Sequence, residues 1–279
     1  MKAIHIISTA PYFAKNPNGA YFMDKFELYS AVISALKWRS FGGEIILAAD
    51  KRAAEYIEKL GIGSVWSSIE TVISDDLEGI NPKMFWAAGK LLALREIPAP
   101  VTMIDTDFIV WKKPELPQNR IVAAHRENLT PSVYPDISSF KFKRPFPMNN
   151  MNEKVLPMNT AFLYLPDEEF KQYYVNRAIA FMKSAIDCDD YLCYMVFAEQ
   201  RLLSICAEEK KVGSQVLMDK EELFFPRDDY THIWGAKRVM RNNVQSLHDF
   251  CGRARERIKS DFKEYSFVIG KIEGAFFNS

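Results

Sequence analysis

Apolar and polar positions along the first hundred residues switch between an extended and a helical period. Lys2 to Ser8 is a β-rich run that predicts a buried strand. A loop with Pro11 and Pro17 follows, and from Tyr21 to Arg39 the apolar positions Phe22, Phe26, Tyr29, Ile33 and Leu36 recur near the helical period. Glu44 to Ala49 predicts a second strand ended by Asp50, and Arg52 to Leu60 a short amphipathic helix stopped by Gly61 and Gly63. Ser64 to Trp66 and Thr71 to Ser74 have strand-like character. Asn81-Pro82 then opens a helix through Leu94, with proline at the tolerated first turn.

This alternation leads into Val101 to Val110, the cadence of a doubly wound α/β sheet. Farther on, Arg120 to His125 and Met158 to Leu165 predict strands, with a proline-studded irregular segment from Asn128 to Pro157 between them. Segments of that length in a compact domain are usually functional covers or disordered. Tyr134, Phe140, Phe142 and Phe146 make this one poor material for disorder; they suit either a ligand cover or packing over the core. Helical patterns span Glu168 to Ser184 and Asp190 to Lys210, Gln215 to Met218 is strand-like, and a basic amphipathic helix runs from about Arg238 to Phe262. The expectation is one α/β domain over residues 1–279, a mixed but mostly parallel sheet flanked by helices with a helical C-terminal part.

Composition adds exclusions. A chain of 279 residues, 48% hydrophobic and 26% charged, is ordinary for a globular protein. Its zero formal net charge argues against general nucleic-acid binding. The Lys and Arg residues between Arg238 and Lys263 suit a solvated helix face, with peripheral membrane contact as the alternative. No apolar run reaches membrane-spanning length, and the first residues form a strand, not a signal peptide. Cys188, Cys193, Cys206 and Cys251 lack metal-ligand spacing, so a reduced, cytoplasmic protein is expected.

The chemistry concentrates at Asp105-Thr-Asp107, at the end of the strand-like run. In extended backbone these two carboxylates share one face, over the sheet edge where open α/β proteins bind ligands. Hard oxygen donors there suit Mg²⁺ or Mn²⁺, with phosphate oxygens completing the shell. The solvated turn is the bland reading. A second copy, Asp187-Cys-Asp189, stands before a helical pattern and has the character of a helix cap. Neither Gly-x-Gly-x-x-Gly nor a P-loop occurs, so a phosphate-bearing ligand needs another grip.

Four motifs in order resemble the GT-A glycosyltransferases that use nucleotide-diphospho-sugars and a divalent ion: Asp105-Thr-Asp107, Asn159-Thr-Ala161, Glu199-Gln200-Arg201 and His232-Ile-Trp-Gly235 with Lys237. The last is similar to the His-x-x-Gly-x-x-Lys of galactosyltransferase-type and glycogenin-like enzymes. The resemblance implies a GT-A-like, Rossmann-like fold, a donor half over 1–127 and an acceptor half over 128–279. It also implies that Asp105, Asp107 and His232 hold Mn²⁺ or Mg²⁺. The diphosphate contact falls to Lys237 or to Arg238, because Arg238 occupies the family's Lys spacing.

By the same resemblance Thr9, Lys90 and Asn159 are candidate donor contacts; a turn residue and a snorkelling lysine are the ordinary readings of the first two. Glu199 is a candidate general base for an inverting reaction, and Glu199 or Gln200 a candidate for orienting the acceptor in a retaining one. A UDP-sugar donor and a glycan or lipid-linked acceptor are the implied partners. Two other readings stand beside this one. A haloacid-dehalogenase-like phosphatase also places Asp-x-Asp after an apolar strand, although Ile109 stands where that class has Thr or Val. A non-catalytic nucleotide-sugar-binding protein would keep the same fold.

Overall fold

The computed structural model describes residues 1–149, 151–188, 191–225 and 227–277. Its main sheet has seven strands: β1 (Lys2–Ile7), β2 (Glu44–Ala49), β3 (Ser68–Thr71), β4 (Val101–Ile104), β6 (Arg120–Ala123), β7 (Phe162–Leu165) and β8 (Gly213–Val216), in the order β3-β2-β1-β4-β7-β6-β8. β1 to β4 run parallel, β7 runs antiparallel to both its neighbours, and β8 is parallel to β6. The sheet is thus a mixed, helix-flanked α/β sheet. β5 (Phe108–Val110) leaves it to form a two-stranded ribbon with β9 (Tyr230–His232).

Alternation along the strands divides the core in two. Ile45, Leu47 and Ala49 of β2 face one apolar cluster; Ile46 and Ala48 face the other. On the first face lie α2 (Lys25–Ser40), α3 (Lys51–Leu60), α9 (Val244–Asp261) and α10 (Phe267–Phe277). On the second lie α4 (Ala88–Glu96), α5 (Glu168–Ser184) and α7 (Leu202–Glu209). Phe181 of α5 centres the second cluster, with ring contacts to Phe85, Phe140, Phe142, Phe146, Tyr194 and Phe197.

Several predicted boundaries move. The helix expected from Tyr21 begins at Lys25, because Asp24 and Glu27 form a capping box there; α1 (Ala10–Lys15) occupies part of the expected loop. β3 forms at 68–71, and 64–66 falls largely within a short 3₁₀ turn instead of a strand. The helix expected from Asn81 becomes regular only at Ala88. The basic C-terminal helix is broken at Asn243, whose side chain caps α9 by accepting from Ser246 N–H at 2.8 Å; α8 (Ala236–Asn242) precedes it. Two of its basic residues turn back onto the protein, Arg241 pairing with Asp24 and Glu27 and Arg255 with Glu273, while Arg257 pairs along its own helix with Asp261. No helix among the described residues is long and apolar enough to cross a membrane.

The segment from Asn128 to Pro157 packs over the core through Phe140, Phe142 and Phe146, while its start, Asn128 to Tyr134, lines a cavity. Buried Arg201 fastens it by donating to the Pro135 and Glu153 carbonyls, both at 2.7 Å. Cys206 and Cys251 are buried in helices, and burial pushes their thiols up to about 12 and about 11, so both stay protonated. Of the second acidic pair, Asp187 accepts from Asn81 at 2.8 Å; Asp189 and Asp190, at the expected helix cap, lie outside the described residues.

Candidate metal centre and its two cavities

At the carboxyl end of β4 the chain turns sharply. Asp105 N–H donates to the Ala161 carbonyl at 2.7 Å, and Phe108 N–H donates back to the Asp105 carbonyl at 2.9 Å. Asp105 and Asp107 therefore sit in a turn between β4 and β5, not on one extended strand, which corrects the same-face argument. The departure of β5 from the main sheet forces that turn. The turn, and not the pleat, brings the carboxylates together.

The ribbon then delivers a third group. Phe108 is paired with His232 in register, and Ile233 N–H donates to the Asp107 carbonyl at 3.0 Å. One donor atom from each of Asp105, Asp107 and His232 lies within 4.8 Å of the others. Burial, more than the opposing pull of Asp107, lowers the His232 pKa to about 4, so its imidazole is neutral near pH 7. Its buried Nδ1 has no hydrogen-bond partner. Its Nε2 stands 3.9 Å from Asp107 Oδ2, and a neutral imidazole beside two carboxylates is a donor set that fits a divalent ion.

Two lysines share the space. Lys90 Nζ stands 2.7 Å from Asp105 Oδ1 and 2.8 Å from Glu199 Oε1, and Lys237 Nζ 2.8 Å from Asp107 Oδ2. Burial opposes the Lys90 charge, but Asp105 and Glu199 outweigh it and raise its pKa. For Asp105, burial pushes the pKa up and prevails over Lys90; Asp107 and Glu199 add to the rise. For Asp107, burial works against the charge, yet Lys237 and His232 hold its pKa below the usual carboxylate range. Three carboxyl groups (Asp105, Asp107, Glu199) thus outnumber the two ammonium groups (Lys90, Lys237) they face, beside a neutral His232. A cation is favoured there.

Local structure explains these positions. Lys90 reaches the turn because α4 packs close against β1: a Cβ on Gly89 would lie 2.9 Å from Ser8 Cβ, so only glycine fits without a shift. Glu199 lies in a π-helical turn, Phe197–Arg201, between α6 (Tyr191–Val196) and α7, which interrupts the single helix expected over 190–210. Its carboxylate is 5% exposed and also accepts from Thr160 Oγ1 at 2.6 Å.

The other sequence candidates divide. Lys237 enters the site, whereas Arg238 faces solvent on the same helix. Gln200 accepts from the Tyr134 hydroxyl at 2.6 Å. Asn159 donates to Glu127 at 3.1 Å and accepts from Ala161 N–H at 3.0 Å. Thr9 is buried, and its N–H and hydroxyl are both taken by Asp50; Ser8, its neighbour, lines the cavity instead. Glu127, Lys220 and Trp86 carry no motif and were missed, and Thr160, inside the Asn159-Thr-Ala161 motif, was given no role.

Two cavities meet at the centre. The larger, about 730 Å³, runs past Ser8, Tyr12, Tyr21 and Phe22 to Arg241. The smaller, about 380 Å³, is lined by Glu127, Tyr134, Asn159, Gln200, Lys220 and Trp234, among others. Lys90, Asp105, Asp107, Glu199 and Lys237 line both.

A family model described as a family of unknown function (DUF6734) matches residues 1–265. Two solved structures of the galactosyltransferase LgtC are similar to the chain. One, in complex with donor and acceptor sugar analogs, is 11% identical, with 77% of this chain and 73% of that one covered and a TM-score of 0.41. The other, an active-site mutant, is 12% identical, with 71% and 70% covered and a TM-score of 0.36. No curated protein sequence matches it.

Proposed function

The chain belongs to the DUF6734 family, and we propose that it is a metal-dependent glycosyltransferase acting on a nucleotide-diphosphate sugar, with a uridine diphosphate donor by resemblance. The observation that carries this reading is the convergence of Asp105, Asp107 and His232 at the junction of two cavities. The larger cavity suits a nucleotide and the smaller an acceptor, so that 1–127 supplies most of the donor half and 128–279 most of the acceptor half.

Asp105, Asp107 and His232 would hold Mn²⁺ or Mg²⁺, which when bound offsets charge developing on a departing diphosphate. Lys237, 2.8 Å from Asp107 and bordering both cavities, is placed to turn from that carboxylate to a phosphate oxygen. Glu199 is a positioning residue in this reading: its carboxylate holds Lys90 and Thr160, and Lys90 in turn holds Asp105. Gln200, turned toward the smaller cavity beside Tyr134, suits acceptor orientation. The phosphatase reading has less support, since Lys90 contacts both oxygens of Asp105, the carboxylate that would have to attack.

A thermal-shift panel of nucleoside diphosphates with and without Mn²⁺ tests the proposal, followed by nucleotide-sugar consumption against phosphate-ester hydrolysis on the same preparation. Metal-dependent stabilisation with sugar-nucleotide turnover is expected. Phosphate-ester hydrolysis lost in Asp105→Asn, without metal-dependent nucleotide binding, would sink it.

A further inference from the structure

The smaller cavity contains a second polar centre that the metal site does not use. Lys220 Nζ lies 2.5 Å from Glu127 Oε2, and Asn159 Nδ2 donates to Glu127 Oε1 at 3.1 Å. All three residues line this cavity and none lines the larger one. Glu127 follows the end of β6, and Lys220 lies in the segment after β8; these strands are parallel neighbours, so the pair forms at one sheet edge. Two tryptophans also line this cavity, Trp234 at 59% exposure and Trp86 at 37%; Trp86 borders the larger cavity as well and is braced edge-on by Tyr191 at 5.9 Å. An indole offers a flat apolar face together with one polar N–H, which suits a site that is apolar on one side and wet on the other.

Resting on the transferase reading, we propose that this cavity is an acceptor subsite for a carbohydrate, with Glu127 and Lys220 as its hydroxyl-binding anchor and Trp234 as its apolar platform. A sugar ring presents hydroxyls at its rim and a C–H face at its flat side. A carboxylate that accepts and an ammonium that donates satisfy neighbouring hydroxyls, and an indole covers the C–H face. The lining supplies both at once. A peptide acceptor would instead call for backbone partners along an extended edge, and every polar group named in this cavity is a side chain.

The test uses full-length protein with uridine diphosphate and Mg²⁺. Melting temperature first reports metal-dependent nucleotide binding. Saturation-transfer NMR then reports binding of methyl glycosides of common hexoses and N-acetylhexosamines, with Ser- and Tyr-containing peptides alongside. At least one glycoside should bind wild-type protein, and Glu127→Gln and Trp234→Ala should each weaken it about tenfold or more while the nucleotide-induced melting shift persists. Trp234 is a surface side chain, so its truncation leaves the fold intact. Absence of the melting shift in wild-type protein would overturn the transferase reading itself. With the shift present, failure of every glycoside to bind, binding of peptides only, or glycoside affinity unchanged in both variants would overturn the subsite assignment and leave that reading standing.

Discussion

Lys90 and Glu199, 109 positions apart in the chain, meet at 2.8 Å and join α4 to the π-helical turn across the candidate metal centre. The same ammonium holds Asp105, so removing it leaves two carboxylates facing each other in a mostly enclosed space. Lys90→Met should cost roughly 3–5 kcal/mol of stability in chelator-treated protein, the scale for stripping one partner from a buried ion pair. Added Mn²⁺ should restore part of the loss. Glu199→Gln should cost less, because Gln still accepts from Thr160 and Lys90 keeps Asp105. Urea titrations with and without metal check the order.

Asp107 is only 5% exposed and carries Lys237, so Asp107→Asn removes charge from an enclosed site rather than from a solvated crevice. It should abolish metal-dependent nucleotide binding and also lower stability by about 1–3 kcal/mol. His232→Ala should weaken Mn²⁺ affinity less, since two carboxylates remain. Titrating free Mn²⁺ by electron paramagnetic resonance separates the two, and equal losses would argue against a shared ion.

His5 is buried in a chain of bonds that leaves no place for a second ring proton. Trp66 Nε1–H donates to His5 Nδ1 at 3.1 Å, His5 Nε2 contacts Ser34 Oγ at 3.0 Å, and Ser34 Oγ donates to the Phe108 carbonyl at 2.6 Å. Burial, partly offset by Asp107, lowers the His5 pKa from 6.5 to about 3. A depressed folded-state pKa means the unfolded chain takes up the proton first. The stability from neutral His5 is therefore complete above about pH 6.5 and is lost as pH falls toward about 3. His232 behaves alike down to about pH 4. Each should remove on the order of 1 kcal/mol at pH 5.5 in metal-free protein. Denaturant unfolding at pH 7.5 and 5.5, compared with His5→Gln, measures the first share.

Phe181 is fully buried among six aromatic rings, including those of the segment over 128–157. Phe181→Ala should cost about 3–5 kcal/mol. It should also open that segment to protease, because Phe140, Phe142 and Phe146 lose their common support. Unchanged cleavage would assign the anchoring to Arg201 alone.

The parts of the site legible in the sequence were those with local signals. Asp105 and Asp107 end an apolar run, a local signal for paired carboxylates, whereas His232 entered only through the resemblance of its His-x-x-Gly stretch. The geometry behind them was not legible: a β-rich run does not announce that Phe108 will abandon its sheet for Tyr230–His232. The π turn at Phe197–Arg201 has a helical composition, and only tertiary contacts select the wider coil. Glu127 and Lys220 lie 93 positions apart without any periodic relation, and pairing emerges only from the β6–β8 neighbourhood. Boundary shifts came from side-chain caps, Asp24 and Asn243, overriding the apolar period.

The β5–β9 ribbon also sets an order of events during synthesis. Asp105 and Asp107 leave the ribosome more than a hundred residues before the strand that carries His232, and β4 must wait for β7 to fill its open edge. Contacts this distant in sequence form late and slowly. A nascent chain that ends before Tyr230 has two of the three ligands but no imidazole, and it exposes the edge of β5 to solvent. On the proposed reading, full metal affinity therefore waits for this ribbon to form. Release of nascent chains truncated just before and just after 230–232 should separate species that bind Mn²⁺ more weakly from species that bind it more tightly.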